Sequence, residues 1–119
     1  MMKKILVVDD ELLLRDVLYE HLTHQGYEVY LAGDAIKAFE LAETYHPQLA
    51  LVDIKLPKES GIELTVKLKE QYPDIFVIIM TGYPSLDTAA TAMKNGASEY
   101  IIKPFRLLEL NKIIKKYIE

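Results

Sequence analysis

Polar side chains follow four apolar runs of the chain, at the residue where each run stops. They are, in chain order, Asp9 and Asp10, then Asp53, then Thr81, and finally Lys103. Three carboxylates in one place repel one another unless a cation lies among them, and hard oxygen ligands select Mg²⁺, Mn²⁺ or Ca²⁺. So few protein ligands leave positions open for water and phosphate oxygens, which favours Mg²⁺. A hydroxyl and an ammonium beside such an ion indicate phosphoryl chemistry.

The apolar runs themselves explain how these residues could meet. They cover residues 5–8, 49–52, 75–80 and 100–102, and each has the composition of a buried strand. Apolar runs alternate with helical periodicity along the whole chain, which predicts β/α units and a parallel sheet. The carboxyl ends of parallel strands line one edge of a sheet, and ligands bind in the crevice there. The sequence therefore predicts one small site built from residues far apart in the chain.

The remaining elements complete the alternation. A strand is predicted at residues 27–31, and its more polar composition favours an edge position. Helices are predicted at residues 11–25, 34–45, 61–72, 86–95 and 107–118. The expected caps are Asp34 and Ser85 at the start of the second and fourth helices, and Gly26 and Gly96 after the end of the first and fourth.

Asp53 is the carboxylate best placed to react. It stands alone at its strand end, whereas Asp9 and Asp10 form a pair suited to holding a metal. A carboxylate that attacks phosphorus gives an aspartyl phosphate, which adds about −1.5 to −2 charges and new acceptor oxygens. Lys103 and Thr81 are the groups available to meet those oxygens. Taken singly, any of the acidic residues would be read as a solvated loop residue; the set together favours a site.

Pro104 follows the lysine directly and is a candidate for a cis peptide bond, which would aim Lys103 inward.

Composition and charge limit what the chain can be. Its 119 residues suffice for one domain, and 50% apolar with 27% charged residues is typical of a globular protein. No apolar run approaches the roughly 20 residues that span a bilayer, and the absence of cysteine excludes disulfides and thiolate metal sites. A cytoplasmic location, away from any membrane, is the simplest expectation. The net charge of −4, with both signs interspersed, argues against direct binding of nucleic acid.

Four short motifs, taken together and in order, resemble the receiver domain of two-component response regulators over essentially the whole chain. They are residues 5–11 (ILVVDDE), 53–57 (DIKLP) with Gly61 following, 80–82 (MTG) and 103–105 (KPF). Each motif is weak alone, whereas all of them at these spacings are highly specific. The resemblance implies an α/β fold, a flavodoxin-like (βα)5 three-layer sandwich with a parallel five-stranded sheet of order 2-1-3-4-5. It also implies one receiver domain over residues 1–119, with no effector domain in this chain.

The resemblance assigns a role to each site residue. Asp53 is implied to be the phosphoacceptor, and the implied catalytic set is Asp53, Thr81 and Lys103. The implied Mg²⁺ ligands are Asp10 directly, Asp9 mainly through water, Asp53, and the backbone carbonyl of Lys55. Thr81 and Tyr100 are the implied switch residues, through which phosphorylation would change the surface of the fourth helix, fifth strand and fifth helix. Lys55 and Tyr83 flank the implied path of the hydrolytic water, and their bulk predicts slow self-dephosphorylation.

The implied partners follow from the same resemblance. The phosphodonor would be a sensor histidine kinase, a histidine phosphotransfer protein or a small acyl phosphate, and a homodimer through the switched surface is a further expectation. Consecutive helical residues point in different directions, so residues 12–14, all leucine, cannot all face the core. The candidates for contact with the phosphodonor are Leu13, Leu14 and Val17. Burial of this first turn under the following loops is an equally good alternative.

Two other classes of protein compete with a phosphorylation-dependent switch. A flavodoxin-fold enzyme or nucleotide-binding protein is disfavoured because no Gly-rich loop follows the first strand; residues 9–11 are acidic there and would repel a bound phosphate. A pseudo-receiver would keep the fold without the switch, but the complete set of site residues argues against it. The expectation is therefore a signalling domain that catalyses only its own phosphorylation and dephosphorylation.

Overall fold

The chain alternates five strands with five helices in a computed structural model that describes residues 2–82 and 86–119. The strands are Lys4–Val8 (β1), Glu28–Ala32 (β2), Leu49–Asp53 (β3), Phe76–Thr81 (β4) and Glu99–Ile102 (β5). The helices are Leu12–His24 (α1), Ala35–Tyr45 (α2), Gly61–Gln71 (α3), Leu86–Lys94 (α4) and Leu107–Ile118 (α5). Among the described residues, no helix is long and apolar enough to cross a membrane.

The sheet is parallel throughout and has the strand order β2-β1-β3-β4-β5. This confirms the predicted α/β fold and the predicted order. β1 lies between β2 and β3, so the strand that leads into the acidic pair is a neighbour of the strand that ends in Asp53. β2 is at one edge, as its polar composition predicted, and most of its residues are only partly buried.

The core has two halves because successive side chains of a buried strand point to opposite faces of the sheet. On one face, residues such as Leu6, Ala50 and Val77 pack under α2, α3 and α4. On the other face, residues such as Ile5 and Leu49 pack under α1 and α5. The molecule is therefore a three-layer sandwich, and continuous burial of β1, β3 and β4 explains why those strands read as unbroken apolar runs.

The helix ends follow the predicted chemistry where the structure describes them. The carboxylate of Asp34 accepts a hydrogen bond from the N–H of Lys37 at 2.8 Å, and α2 begins there. Gly26 and Gly96 adopt φ values of 97° and 106°, a backbone conformation in which glycine avoids the steric cost of a Cβ. These predicted caps are confirmed. Ser85, the predicted cap of α4, and Tyr83 lie outside the described residues.

Two strand starts were predicted one residue too early. β2 begins at Glu28 because the N–H of Tyr27 is bonded to the carbonyl of Leu22, which closes the end of α1. β4 likewise begins after Ile75, whose N–H donates to the carbonyl of Tyr72 at 3.1 Å. In both places the first apolar residue completes the turn after a helix, and only the next residue joins the sheet.

Candidate functional site

The strand register brings the predicted site residues to one edge. Val8 is paired with Val52 across β1 and β3, so the next residues, Asp9 and Asp53, stand side by side where the two strands end. Asp53 is in turn paired with Met80, the residue before Thr81. The separate strand ends predicted from sequence therefore meet at one place.

The three carboxylates form one compact cluster. Asp9, Asp10 and Asp53 each offer an oxygen, and these oxygens lie within 4.8 Å of one another. Asp9 is fully buried and Asp53 nearly so, whereas Asp10 is exposed. Among residues 2–82 and 86–119, no hydrogen bond or ion pair engages the Asp10 carboxylate. Two carboxylates of the cluster are thus buried, and the third, that of Asp10, faces solvent.

Lys103 supplies the cation of the site. Its ammonium nitrogen lies 2.6 Å from Oδ2 of Asp9 and 3.4 Å from Oδ2 of Asp53. The backbone N–H of Lys103 donates to the carbonyl of Thr81 at 2.7 Å, which fixes the lysine relative to the end of β4. The peptide bond from Lys103 to Pro104 is cis. The contact with Asp9 is a hydrogen bond, and the contact with Asp53 is an ion pair.

Gly61 permits the close approach that positions Asp53. A Cβ built on this residue would lie 2.2 Å from the backbone oxygen of Asp53 and 2.9 Å from Cα of Ile54, inside any real contact distance. The N–H of Gly61 donates to the carbonyl of Ile54 at 2.8 Å, so α3 begins directly against the loop after β3. The sequence predicted Gly61 as the start of a helix. Its role in allowing α3 to pack closely against the loop after β3 is apparent only from the structure.

Burial and charge set the ionisation of the site. Burial, together with the neighbouring charge of Asp9, raises the pKa of Asp53, against the opposing effect of the Lys103 ammonium. For Lys103, burial favours the neutral amine, but the bonds and charges of Asp9 and Asp53 outweigh it and raise the pKa of the ammonium. Without a metal, the site therefore carries excess negative charge that the fold tolerates at a cost.

Removal of the Asp53 charge should stabilise the metal-free fold. The raised pKa means that ionised Asp53 destabilises the native state, so Asp53→Asn is expected to raise the Tm at pH 7. In a domain of this size each 1 kcal/mol of stabilisation corresponds to roughly 4 °C in Tm. The gain should disappear as the pH falls below about 3.9, the pKa of aspartate in the unfolded chain. There Asp53 is protonated in both states and is as neutral as the asparagine of the variant. Thermal unfolding in EDTA measures the gain. An equal Tm for both proteins at pH 7 would contradict this account of the site.

The donor set fits a hard divalent cation. Three carboxylates supply oxygen ligands and negative charge, and among the described residues they are the one cluster of this kind. One of the three is exposed, so water and phosphate oxygens have access to an ion held there. Lys55, the remaining predicted ligand, is adjacent, and its N–H donates to Oδ1 of Asp53 at 3.3 Å.

The other predicted residues lie around this cluster. Thr81 is buried at the end of β4, next to the site. Tyr100 lies on β5 with 39% of its surface exposed. In α1, Leu13 and Val17 are exposed, which excludes the alternative of a first turn buried under loops, while Leu14 packs partly against the core. Arg15, which sequence reasoning did not consider, reaches the site from α1.

Comparison with known proteins finds one family that matches nearly the whole chain. The family model described as the response regulator receiver domain matches residues 5–115. Among curated proteins, the chain is 36% identical over 118 residues to sporulation initiation phosphotransferase F of Bacillus subtilis, covering 99% of this chain and 95% of that protein. It is 36% identical over 116 residues to the regulatory protein AtoC of Escherichia coli, covering 98% of this chain but only 25% of that protein.

Solved structures agree with the fold. A response regulator receiver domain protein from Methanospirillum hungatei, described as CheY-like, superimposes with a TM-score of 0.94 at 37% identity, covering 98% of this chain and 93% of that one. NtrX from Brucella abortus superimposes with a TM-score of 0.93 at 32% identity, covering 99% of this chain and 27% of that one. The chain thus matches some relatives nearly end to end and spans a quarter to a half of several others.

Proposed function

This chain belongs to the family of response regulator receiver domains of two-component systems, and from that premise we propose that Asp53 accepts a phosphoryl group in a Mg²⁺-dependent reaction. Receiver domains are signalling domains, so the reaction would be a single modification of the chain itself. The observation that carries the proposal is the cluster of Asp9, Asp10 and Asp53 with the Lys103 ammonium bonded between two of its carboxylates.

Each residue of the cluster has a distinct task in this proposal. Asp10, exposed and unbonded among the described residues, binds the ion directly. Both oxygens of Asp9 are engaged, one by the N–H of Glu11 at 2.8 Å and one by Lys103 at 2.6 Å, which leaves it to act through water. The Lys55 carbonyl completes the protein ligands. Mg²⁺ would supply Lewis-acid neutralisation of the charge on the transferred group.

The transfer step is an in-line displacement at phosphorus. A carboxylate oxygen of Asp53 forms the new O–P bond as the bond from phosphorus to the donor breaks, and the donor leaves with its electron pair. The Lys103 ammonium and the Thr81 hydroxyl then donate hydrogen bonds to the phosphoryl oxygens. Because the charge of the phosphoryl group is spread over these oxygens, fixed cationic and hydroxyl donors stabilise it without rearrangement of solvent.

Labelling with a small phosphodonor tests the proposal. The purified chain incubated with acetyl phosphate and Mg²⁺ should gain one phosphoryl group by intact mass, and EDTA should abolish the gain. Equal labelling in EDTA would show that the acidic cluster does not act through a metal. If neither acetyl phosphate nor a phosphorylated histidine kinase labelled the chain, the pseudo-receiver interpretation would replace this one.

The output of phosphorylation is a change at the surface of α4, β5 and α5. Movement of the buried Thr81 toward the phosphoryl group would vacate space that the ring of Tyr100 can occupy, since β4 and β5 are adjacent strands. The nearby α4 carries small side chains, including the buried Ala92, which favour ready displacement as well as close packing. Phosphate thereby biases a two-state element. Exposed Met93 and Ile102 on this surface suit a partner or a second copy of the chain.

A tryptophan reporter tests the switch. The sequence contains no tryptophan, so Tyr100→Trp introduces one fluorophore at the position in question. Phosphorylation should bury the ring, with a blue-shifted emission and acrylamide quenching reduced by roughly half, because the indole leaves water. The matched control adds Asp53→Ala to the reporter and should show no change. A ring that stays equally quenched after confirmed phosphorylation would remove Tyr100 from the switch.

The phosphodonor docks beside the site on α1. Leu13 and Val17 are exposed apolar residues on this helix, and a groove of about 430 Å³ runs between α1 and the loop after β5, lined in part by Leu14 and Phe105. An exposed apolar face next to a reactive carboxylate suits a protein that must present its own phosphorylated side chain there. The proposed donor is a sensor histidine kinase or a histidine phosphotransfer protein, acting in the cytoplasm.

A further inference from the structure

Arg15 and Gly33 meet beside the acidic cluster, in a contact to which the proposed function gives no role. Arg15 is the fourth residue of α1, and its guanidinium Nη1 donates to the backbone carbonyl of Asp9 at 3.1 Å. Helical side chains lean toward the helix N-terminus, so an arginine here reaches back over the loop after β1. Gly33 follows the last residue of β2, and a Cβ built on it would lie 2.3 Å from that same nitrogen.

The Arg15 bond completes the restraint of Asp9. The other polar groups of Asp9 are engaged as follows: its N–H donates to the carbonyl of Ala32 at 3.0 Å, Oδ1 accepts from the N–H of Glu11 at 2.8 Å, and Oδ2 accepts from the Lys103 ammonium at 2.6 Å. The carbonyl belongs to the peptide group that joins Asp9 to Asp10. Its orientation therefore sets the direction in which the backbone carries Asp10 away from the strand.

We propose that Arg15 is a positioning residue for the metal site and that Gly33 provides the space its guanidinium needs. The inference rests on the proposed function in taking Mg²⁺ as the ion. Asp10 has no bond of its own among the described residues, so its placement depends on the peptide group that Arg15 holds. Loss of that restraint would leave the ligand free to sample directions that do not bind the ion, and the affinity would fall.

Gly33→Ala offers a second way to break the same contact. The added methyl group would displace the guanidinium without removing it, and the displaced atom is the far end of a flexible side chain, so the fold should tolerate the change. Positive φ values among the described glycines occur at Gly26 and Gly96 and not at Gly33, which makes alanine compatible with the backbone there. Arg15→Ala and Gly33→Ala should therefore have the same effect by different means.

A double-mutant cycle on the full chain tests the inference. The Mg²⁺ dissociation constant is measured by isothermal titration calorimetry for the wild type, Arg15→Ala, Gly33→Ala and the double variant, with the Tm recorded for each. Each single change should weaken Mg²⁺ binding by about tenfold. This is the lower end of the range of affinity losses seen when a residue that supports a metal ligand is removed. The double variant should be no weaker than either single variant, because Gly33→Ala has nothing left to displace. Arg106→Ala, at the exposed start of α5, should leave the dissociation constant unchanged.

A metal-free measurement separates this inference from the proposed function. Hydrogen exchange of the Glu11 N–H, which donates to Asp9, should accelerate several-fold in both single variants when measured in EDTA by NMR. Unchanged Mg²⁺ affinity in Arg15→Ala, additive losses in the double variant, or unaltered Glu11 exchange would each overturn the positioning role. A wild type that bound no Mg²⁺ would instead overturn the proposed function, while the exchange data would still decide whether Arg15 holds the loop.

Discussion

Asp53→Ala should take up no phosphoryl group under conditions that label the wild-type chain fully. The substitution removes the oxygen that forms the bond to phosphorus. Asp9 cannot readily replace it, because both of its carboxylate oxygens already accept hydrogen bonds. Asp10 is exposed, and Lys103, the proposed donor to the phosphoryl oxygens, contacts Asp9 and Asp53 instead. Intact mass after incubation with acetyl phosphate and Mg²⁺ gives the result directly. We expect at least a hundredfold loss of labelling rate, limited by detection.

The control for Asp53→Ala must show that the fold persists. Deletion of a buried carboxylate with a raised pKa removes an unfavourable charge, so the variant should melt no lower than the wild type. Asp74→Ala is the matched substitution, since Asp74 is an exposed aspartate just before β4, at the opposite end of that strand from Thr81. It should label at the wild-type rate. Labelling of Asp53→Ala at a comparable rate would place the acceptor on another residue.

Lys103→Ala should separate metal binding from phosphoryl transfer. The ammonium is proposed to meet the developing charge on the transferred group, and loss of one such donor lowers a transfer rate by about 10² to 10³. Mg²⁺ binding should survive or tighten, because the substitution removes a positive charge that now bonds Asp9 and Asp53. The two quantities to measure are the labelling rate with acetyl phosphate and the Mg²⁺ dissociation constant by titration calorimetry.

Lys103→Ala should also destabilise the metal-free fold, since Asp9 is fully buried and would lose its cation. Labelling is therefore compared at saturating Mg²⁺, where the ion replaces the missing charge. Lys112→Ala, an exposed lysine on α5, is the matched control and should change neither quantity. A labelling rate within threefold of wild type in Lys103→Ala would remove the lysine from the transfer step. If Lys103→Ala lost both Mg²⁺ binding and labelling, the lysine would have a structural role instead.

The site could be predicted from sequence because each of its main residues ends a strand. An apolar run that stops at Asp53 or Thr81 marks a strand end, and a parallel sheet collects such ends at one edge. The register confirms this, with Val8 opposite Val52 and the two carboxylates one residue further on. The fold followed from the same alternation of apolar runs with helical periodicity. The predicted starts of β2 and β4 were each one residue too early. Tyr27 and Ile75 complete the turns after the preceding helices, and the strands begin at the next residue.

Other features of the site depend on approach in space and left no local pattern to find. Gly61 looks like an ordinary helix start, yet its missing side chain lets α3 approach the Asp53 carbonyl. Arg15 looks like one more polar residue on the outside of α1, and Gly33 like a turn residue after β2. Their contact exists because α1 packs against β2 as well as β1, which brings it beside the turn after β2. No periodicity or spacing encodes that meeting, so it had to be observed.

The most direct test of the account is to locate the phosphoryl group on the chain. After labelling with acetyl phosphate and Mg²⁺, borohydride cleaves an acyl phosphate reductively and converts the modified aspartate to homoserine, which tandem mass spectrometry assigns to one position. We expect homoserine at position 53 alone, and none in samples treated with EDTA. Homoserine at Asp9 or Asp10, or a phosphoryl group on a histidine, serine or threonine, would contradict it.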